Sequence, residues 1–204
     1  YNDVPLELEV YRPYLDDDHL MSDIQTHGPS FLRLNNRYVE QAAARAVPMF
    51  LKIDRRYYLT VHVNSTILKS EIAEHLLNDP IGFDFVVVYS IDDKKQETHF
   101  SLRSRDDRAD VGTIAFQLGG GGHRNASGVV TKKIRSTLPG VTIPYSDRIH
   151  DIISKVVPET VAVEDRSYKV IRLEVAFDDL FIGDFLVHRY GVDAVYNYGI
   201  VQTF

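Results

Sequence analysis

The chain has 204 residues, 44% of them apolar and 25% charged, which is enough for a buried core in one domain with a large appendage or in two small ones. Its formal net charge is −6, so no global basic field draws nucleic acid, and any phosphate site must be a local one. There is no cysteine, which excludes disulfides, thiolate zinc sites and a cysteine nucleophile.

The opening "YNDVPLELEVYRPYLDDD" is acidic, carries two prolines and reads as an extended lead-in. It has neither an initiator methionine nor the pattern of a signal peptide, so we expect a further segment upstream. "DDDHLMSDIQTHG" predicts a short helix with Asp16, Asp17 and Asp18 as its solvated, dipole-favoured start. Apolar residues at Phe31, Leu34, Tyr38, Ala42 and Ala46 predict a longer helix from Pro29 that Pro48 ends. "RYYLTVHV" predicts a strand, "LKSEIAEHLLN" a helix, "GFDFVVVYSI" a buried strand and "THFSLRS" its antiparallel neighbour. "DVGTIAFQL" predicts a helix starting at Asp110 and ended by glycines, and "SGVVTKK" a further strand. Past Pro139, "PGVTIP" reads as a linker and "SDRIHDIISKVV" as an amphipathic helix with Ser146 as N-cap.

The stretch that begins at Asp165, "DRSYKVIRLEV", parallels the one that begins at Asp54, "DRRYYLTVHV". Further on, "IGDFLV" parallels "IAEHLL", and "GVDAVYNYG" parallels "GFDFVVVYS". Both read strand–helix–strand, which predicts a partial internal repeat. No apolar run approaches the length that spans a bilayer, so no membrane partner is expected, and we expect an intracellular location, cytoplasmic or an organellar matrix.

The chemistry concentrates in "FSLRSRDDRADVGTIAFQLGGGGHRNASGVV". Glycines let backbone N–H groups approach an anion with no Cβ in the way, and a short helix or turn starts near His123, where a helix would add its N-terminal dipole. His123 adds a donor and Arg124 a charge. Arg103, on the strand before, offers two parallel N–H donors to a phosphate, with the Ser101 and Ser104 hydroxyls beside it. The remaining histidines, His62, His75, His99, His150 and His188, have no mutual ligand spacing and read as surface or structural.

This stretch resembles the signature of the DHHA1 domain, the C-terminal half of DHH-family phosphoesterases of the oligoribonuclease-like and RecJ-like group. The matching pieces are an S-x-R-S strand, a D-V-x-x-I-A helix, then G-G-G-G-H and a helix of small residues. The resemblance covers roughly residues 15–133. It implies an α/β fold with a mixed sheet and packed helices, preceded by a long linker helix; the residue pattern past Pro139, which the resemblance does not cover, adds a second small α/β extension. The expected division is a linker and connector helix at 1–53, a DHHA1-like substrate-binding domain at 54–138, and an extension at 139–204.

The resemblance further implies that Arg103, Ser104, Gly119, Gly120, Gly121, Gly122 and His123 bind the phosphate or terminal nucleotide of a short RNA or small phosphodiester nucleotide. Hydrolysis would belong to an upstream DHH domain holding two divalent metals, Mn2+ or Mg2+, that activate a water. No catalytic or metal-binding residue is expected in this chain, and "LDDDHL" lacks the second histidine of a D-H-H motif. The expected partners are the short RNA or nucleotide, the DHH domain, and a protein held by the C-terminal extension. The alternative is a non-catalytic RNA-binding or assembly module built on a DHHA1 domain.

Overall fold

The structure, a computed structural model, describes residue 12 and residues 17–145, 147–173 and 180–197. Of the lead-in only Arg12, Asp17 and Asp18 are described; the rest of it, Asp16 included, and Ser146 as an N-cap lie outside the described residues. The chain runs α1 (Asp17–Ala43), β1 (Val47–Ile53), β2 (Arg56–Asn64), α2 (Lys69–Leu77), β3 (Phe85–Asp92), β4 (Glu97–Arg103), α3 (Val111–Gln117), β5 (Gly121–His123) and β6 (Ala126–Thr131). It continues through β7 (Val141–Pro144), α4 (Asp147–Ser154), β8 (Pro158–Val163), β9 (Arg166–Leu173), α5 (Leu180–Tyr190) and β10 (Ala194–Asn197). The fold is mixed α/β, as the sequence pattern predicts.

Seven strands form one sheet in the order β5-β6-β4-β3-β2-β1-β7, and three form a second in the order β10-β9-β8. β2/β3 and β9/β10 pair in parallel through a crossover helix; the other pairs are antiparallel. Alternation along β2 sends Leu59, Val61 and Val63 to one face, where they meet α1, α2, α4 and α5 in one core cluster. The other face buries Leu51, Phe85, Val87, Phe100 and Leu102 beneath α3 and Leu138.

Three local readings are corrected. The two helices expected on either side of Pro29 are one helix of 27 residues, about 40 Å long, with Pro29 inside it. The helix ends at Ala43, ahead of Pro48, because "VPMFLKI" supplies a strand that pairs with β2 over its whole length. "PGVTIP" is not a linker: β7 pairs with β1 from Met49↔Pro144 to Lys52↔Val141 and forms the sheet edge. Pro144, at the last rung, suits an edge strand, where the missing N–H breaks no inner ladder.

Residues 37–89 and 147–197 follow the same course of helix, hairpin, crossover helix and parallel strand. Adding 110 to the numbers of the β1/β2 pairing from Pro48↔Val61 to Ile53↔Arg56 yields the β8/β9 pairing, Pro158↔Ile171 to Val163↔Arg166. The hairpin turns place Asp54 and Glu164, both with positive φ, in the same position, one residue from the alignment that sets Asp54 against Asp165. Each unit also carries a Gly-x-Asp clasp. Asp84 accepts from Leu59 N at 2.7 Å and donates its own N–H to Leu59 O; Asp193 does the same with Lys169 at 2.8 and 2.7 Å. The units share one core, where Phe185 of α5 meets Phe50 of β1 edge to face at 4.9 Å.

Candidate functional site

The open half of the large sheet carries the residues that the sequence marks. Directly opposed residues of an antiparallel pair share a face. Arg103 opposes Ala126, and Ala126 opposes His123, so the arginine and the histidine stand on one face of β4 and β5 with only a methyl group between them on β6. On the adjoining rung Ser101, Gly128 and Gly121 line up on that same face. The result is a shelf of small residues flanked by a guanidinium and an imidazole. Arg103 is half-buried, and Gly121 and His123 are exposed.

The four glycines have separate reasons to be glycine. Gly120 lies so close to Gly128 that a Cβ would fall onto the Gly128 carbonyl oxygen. Gly122 has φ +142° and would bring a Cβ within 2.5 Å of Ser127 Cα. Gly119 closes α3. Gly121 is different: a Cβ there would meet nothing within 4 Å, and one at Gly128 would meet only Phe100 O at 3.5 Å. Neither of these two paired glycines is required by its own backbone or neighbours, and both leave the shelf between Arg103 and His123 bare.

The sequence reading places a short helix or a turn near His123, after the glycines, and a helix there would aim its dipole at the anion. The structure corrects the helix reading. Gly121–His123 is a strand, Arg124 and Asn125 turn the chain, and Ala126–Thr131 returns as β6. β-Branched residues at Val129, Val130 and Thr131 and the β4 ladder outweigh the small residues that suggest a helix. Ser104 faces away from the shelf; it is buried, and its hydroxyl donates to Arg124 O at 3.3 Å while its N–H donates to Asn125 O at 3.1 Å. Arg124 is engaged as well, donating to Asp106 O at 2.9 Å and lying 3.6 Å from the Asp110 carboxylate.

α3 supports the shelf from beneath. The Asp110 carboxylate caps it by accepting from Thr113 N at 3.0 Å, and that N–H holds the carboxyl below the usual range. Ser127 Oγ donates to Val111 O at 2.7 Å and ties β6 to the helix start. Of the predicted residues, then, the structure brings Arg103, Gly121 and His123 to one face. It gives Gly119, Gly120 and Ser104 to the turns that hold that face, and Gly122 to the middle of β5 against Ser127. Ser101, expected beside Arg103, stands on the shelf; Ala126 and Gly128 join it, and strand alternation is the signal that finds them.

No three or more His, Asp or Glu side chains among the described residues are grouped to hold a metal ion, so the described residues do not fit a dinuclear metal centre and no metal-dependent step is assigned to them. No described helix is long and apolar enough to cross a membrane.

No family model matches the chain. It is 35% identical over 134 residues to the uncharacterized protein R106 of Acanthamoeba polyphaga mimivirus, a stretch that covers 65% of this chain and 31% of that protein. The chain thus spans about a third of the length of the curated relative it matches. Among solved structures it is similar to an uncharacterized protein of Helicobacter pylori G27, with TM-score 0.33 and 18% identity over 68% of this chain and 32% of that one. It is also similar to the pGpG-specific phosphodiesterase PggH of Vibrio cholerae, with TM-score 0.33 and 18% identity over 48% of this chain and 33% of that one.

Proposed function

We propose that this chain is the substrate-gripping part of a DHH-type phosphoesterase. It holds the phosphate or terminal nucleotide of a short RNA or small phosphodiester nucleotide while a DHH domain outside this sequence hydrolyses it. The observation that carries the reading is the shelf itself. Arg103 and His123 flank Ser101, Ala126 and two paired glycines that the fold does not demand. A bare strand surface lets a nucleotide approach the backbone, and the guanidinium supplies the fork that a phosphate takes. Metal ions, Mn2+ or Mg2+, belong to the DHH domain in this reading and supply the activated water.

The connector helix supports a second unit. Met21, Ile24, Phe31, Leu34 and Tyr38 recur at helical spacing on α1 and all remain exposed, a row of large apolar side chains suited to a further packing partner.

The test is manganese-dependent cleavage of a short oligoribonucleotide and of a cyclic dinucleotide by the natural protein that contains this sequence. Cleavage with kcat/KM lowered at least tenfold in Arg103→Ala, roughly the loss of one charge-assisted contact, is the expected result. Binding of RNA without cleavage would instead support the second reading, a non-catalytic RNA-binding or assembly module. Cleavage indifferent to Arg103 would remove the gripping role.

A further inference from the structure

The first unit closes the edge of its hairpin, and the second leaves it open. β7 pairs with β1 from Met49↔Pro144 to Lys52↔Val141. β8, the counterpart of β1, is the outermost strand of its sheet among the described residues, and Thr160, Val161, Ala162 and Val163 are all exposed. The two-residue turn at Glu164 and Asp165 makes Val163 and Arg166 a hydrogen-bonded pair. Alternation then turns the N–H and C=O groups of Val161 toward β9 and those of Thr160 and Ala162 outward. Their counterparts, Phe50 and Lys52, are residues that β7 meets, at Ile143 and Val141.

Open edges are ordinarily blunted by brevity, charge, proline or a bulge. β5 has three residues and β10 four; β7 has four and ends on Pro144. β8 has six. Its one proline, Pro158, stands at the first position, and no charged residue lies from Thr160 to Val163. On the outer face Val161 and Val163 take the places of Leu51 and Ile53, which the first unit buries.

We propose that β8 is a dimer edge, which pairs antiparallel with β8 of a second copy of this chain about a two-fold axis through Val161. The sequence of the edge matches itself in this register. Thr160 opposes the partner's Ala162, so the outward N–H and C=O groups of each copy meet those of the other. Val161 opposes the partner's Val161, a β-branched pair on the exposed face. Charges match as well. Glu159 opposes the partner's Val163, and the next residue in that row is the partner's Arg166, whose side is exposed. Arg172, which takes the position of the buried His62 in the second unit, already lies 3.6 Å from Glu159. The carboxylate thus stands between two guanidinium groups, and no like charges oppose each other from Pro158 to Glu164.

The experiment measures mass in solution by light scattering over a concentration series, for this chain and for the natural protein that contains it. The expected result is a rise toward twice the monomer mass, which is 23.3 kDa for this chain, and a monomer throughout for Val161→Lys, which sets two cations against each other at the axis. The register is read by disulfide formation with oxidised glutathione, since the chain has no cysteine of its own. Val161→Cys brings two thiols onto opposed residues about 4.5 Å apart at Cα and should link the copies. In Val163→Cys the two positions lie four residues apart along the pairing, about 13 Å, and should not link. A wild-type chain that stays monomeric overturns the proposal, as does Val163→Cys linking as readily as Val161→Cys. A natural protein that stays monomeric while this chain dimerises also overturns it, because the rest of its own chain then covers the edge.

Discussion

Asp84 clasps Leu59 in the first unit, and Asp193 clasps Lys169 in the second, with the same pair of hydrogen bonds. Around these clasps the two units differ. β3 continues into β4, α3, β5 and β6, which build the shelf, whereas the three-stranded sheet of the second unit ends at β10 among the described residues. Leu51 and Ile53 are buried under Leu138 and α3, while their counterparts Val161 and Val163 stay exposed. The shared part is a scaffold, and the chemistry-bearing side chains sit on what only one unit has. The second unit's visible role is to cover the first: α5 lays Phe185 and Leu186 into the common core.

The comparison breaks most sharply at α5. Phe185 is 1% exposed against Phe50, and its counterpart in α2 is the exposed His75. Phe185→Ala should lower unfolding stability by about 3–5 kcal/mol in denaturant titrations, and His75→Ala should leave it nearly unchanged.

The clasps come next. Asp84 is half-buried and also meets Arg189 of α5 at 3.0 Å; desolvation pushes its carboxyl up, against the pull of that guanidinium and of the Leu59 N–H. Asp193 is exposed. Asp84→Ala leaves Arg189 with the Gly82 carbonyl but no carboxylate, and should cost about 3 kcal/mol by thermal unfolding, whereas Asp193→Ala should cost about 1 kcal/mol.

His62 and Arg172 sharpen the comparison through pH. A histidine whose folded pKa is depressed binds its proton more readily in the unfolded chain. Its contribution is therefore fully present above pH 6.5 and is lost as pH falls through about 4. Up to about 3 kcal/mol should disappear across that window in the wild type, and a folded His62→Gln variant should show a flatter profile. Arg172 stays charged throughout and contributes no such slope.

The smallest expected difference lies within the glycine run. Gly120→Ala drives a Cβ onto a carbonyl and should cost about 2 kcal/mol or more, while Gly121→Ala should stay within about 0.5 kcal/mol of wild type.

Much of the scaffold is legible because its strands are β-branched runs and its α2 helix has clean spacing. The parallel between "GFDFVVVYS" and "GVDAVYNYG" is visible because the glycine and aspartate are fixed by the clasp. Helix boundaries near Pro29 and Pro48 are not legible, since local breakers there are overridden by the length of α1 and by pairing of β1. At the candidate site the residue types can be read, but not the division of labour among the glycines. That division depends on Gly128, Ser127 and Phe100, which approach from another strand. The setting of His62 depends likewise on Ser136 and Thr137, which are distant in sequence.

The central claim is that the Arg103–Gly121–His123 face grips a phosphate. The most direct measurement is the affinity of this chain for a 5′-phosphorylated oligoribonucleotide, compared among wild type, Gly121→Val and Arg103→Ala. The account predicts that both variants keep the wild-type melting temperature and bind at least tenfold more weakly. Wild-type affinity in both, with the fold intact, would contradict it.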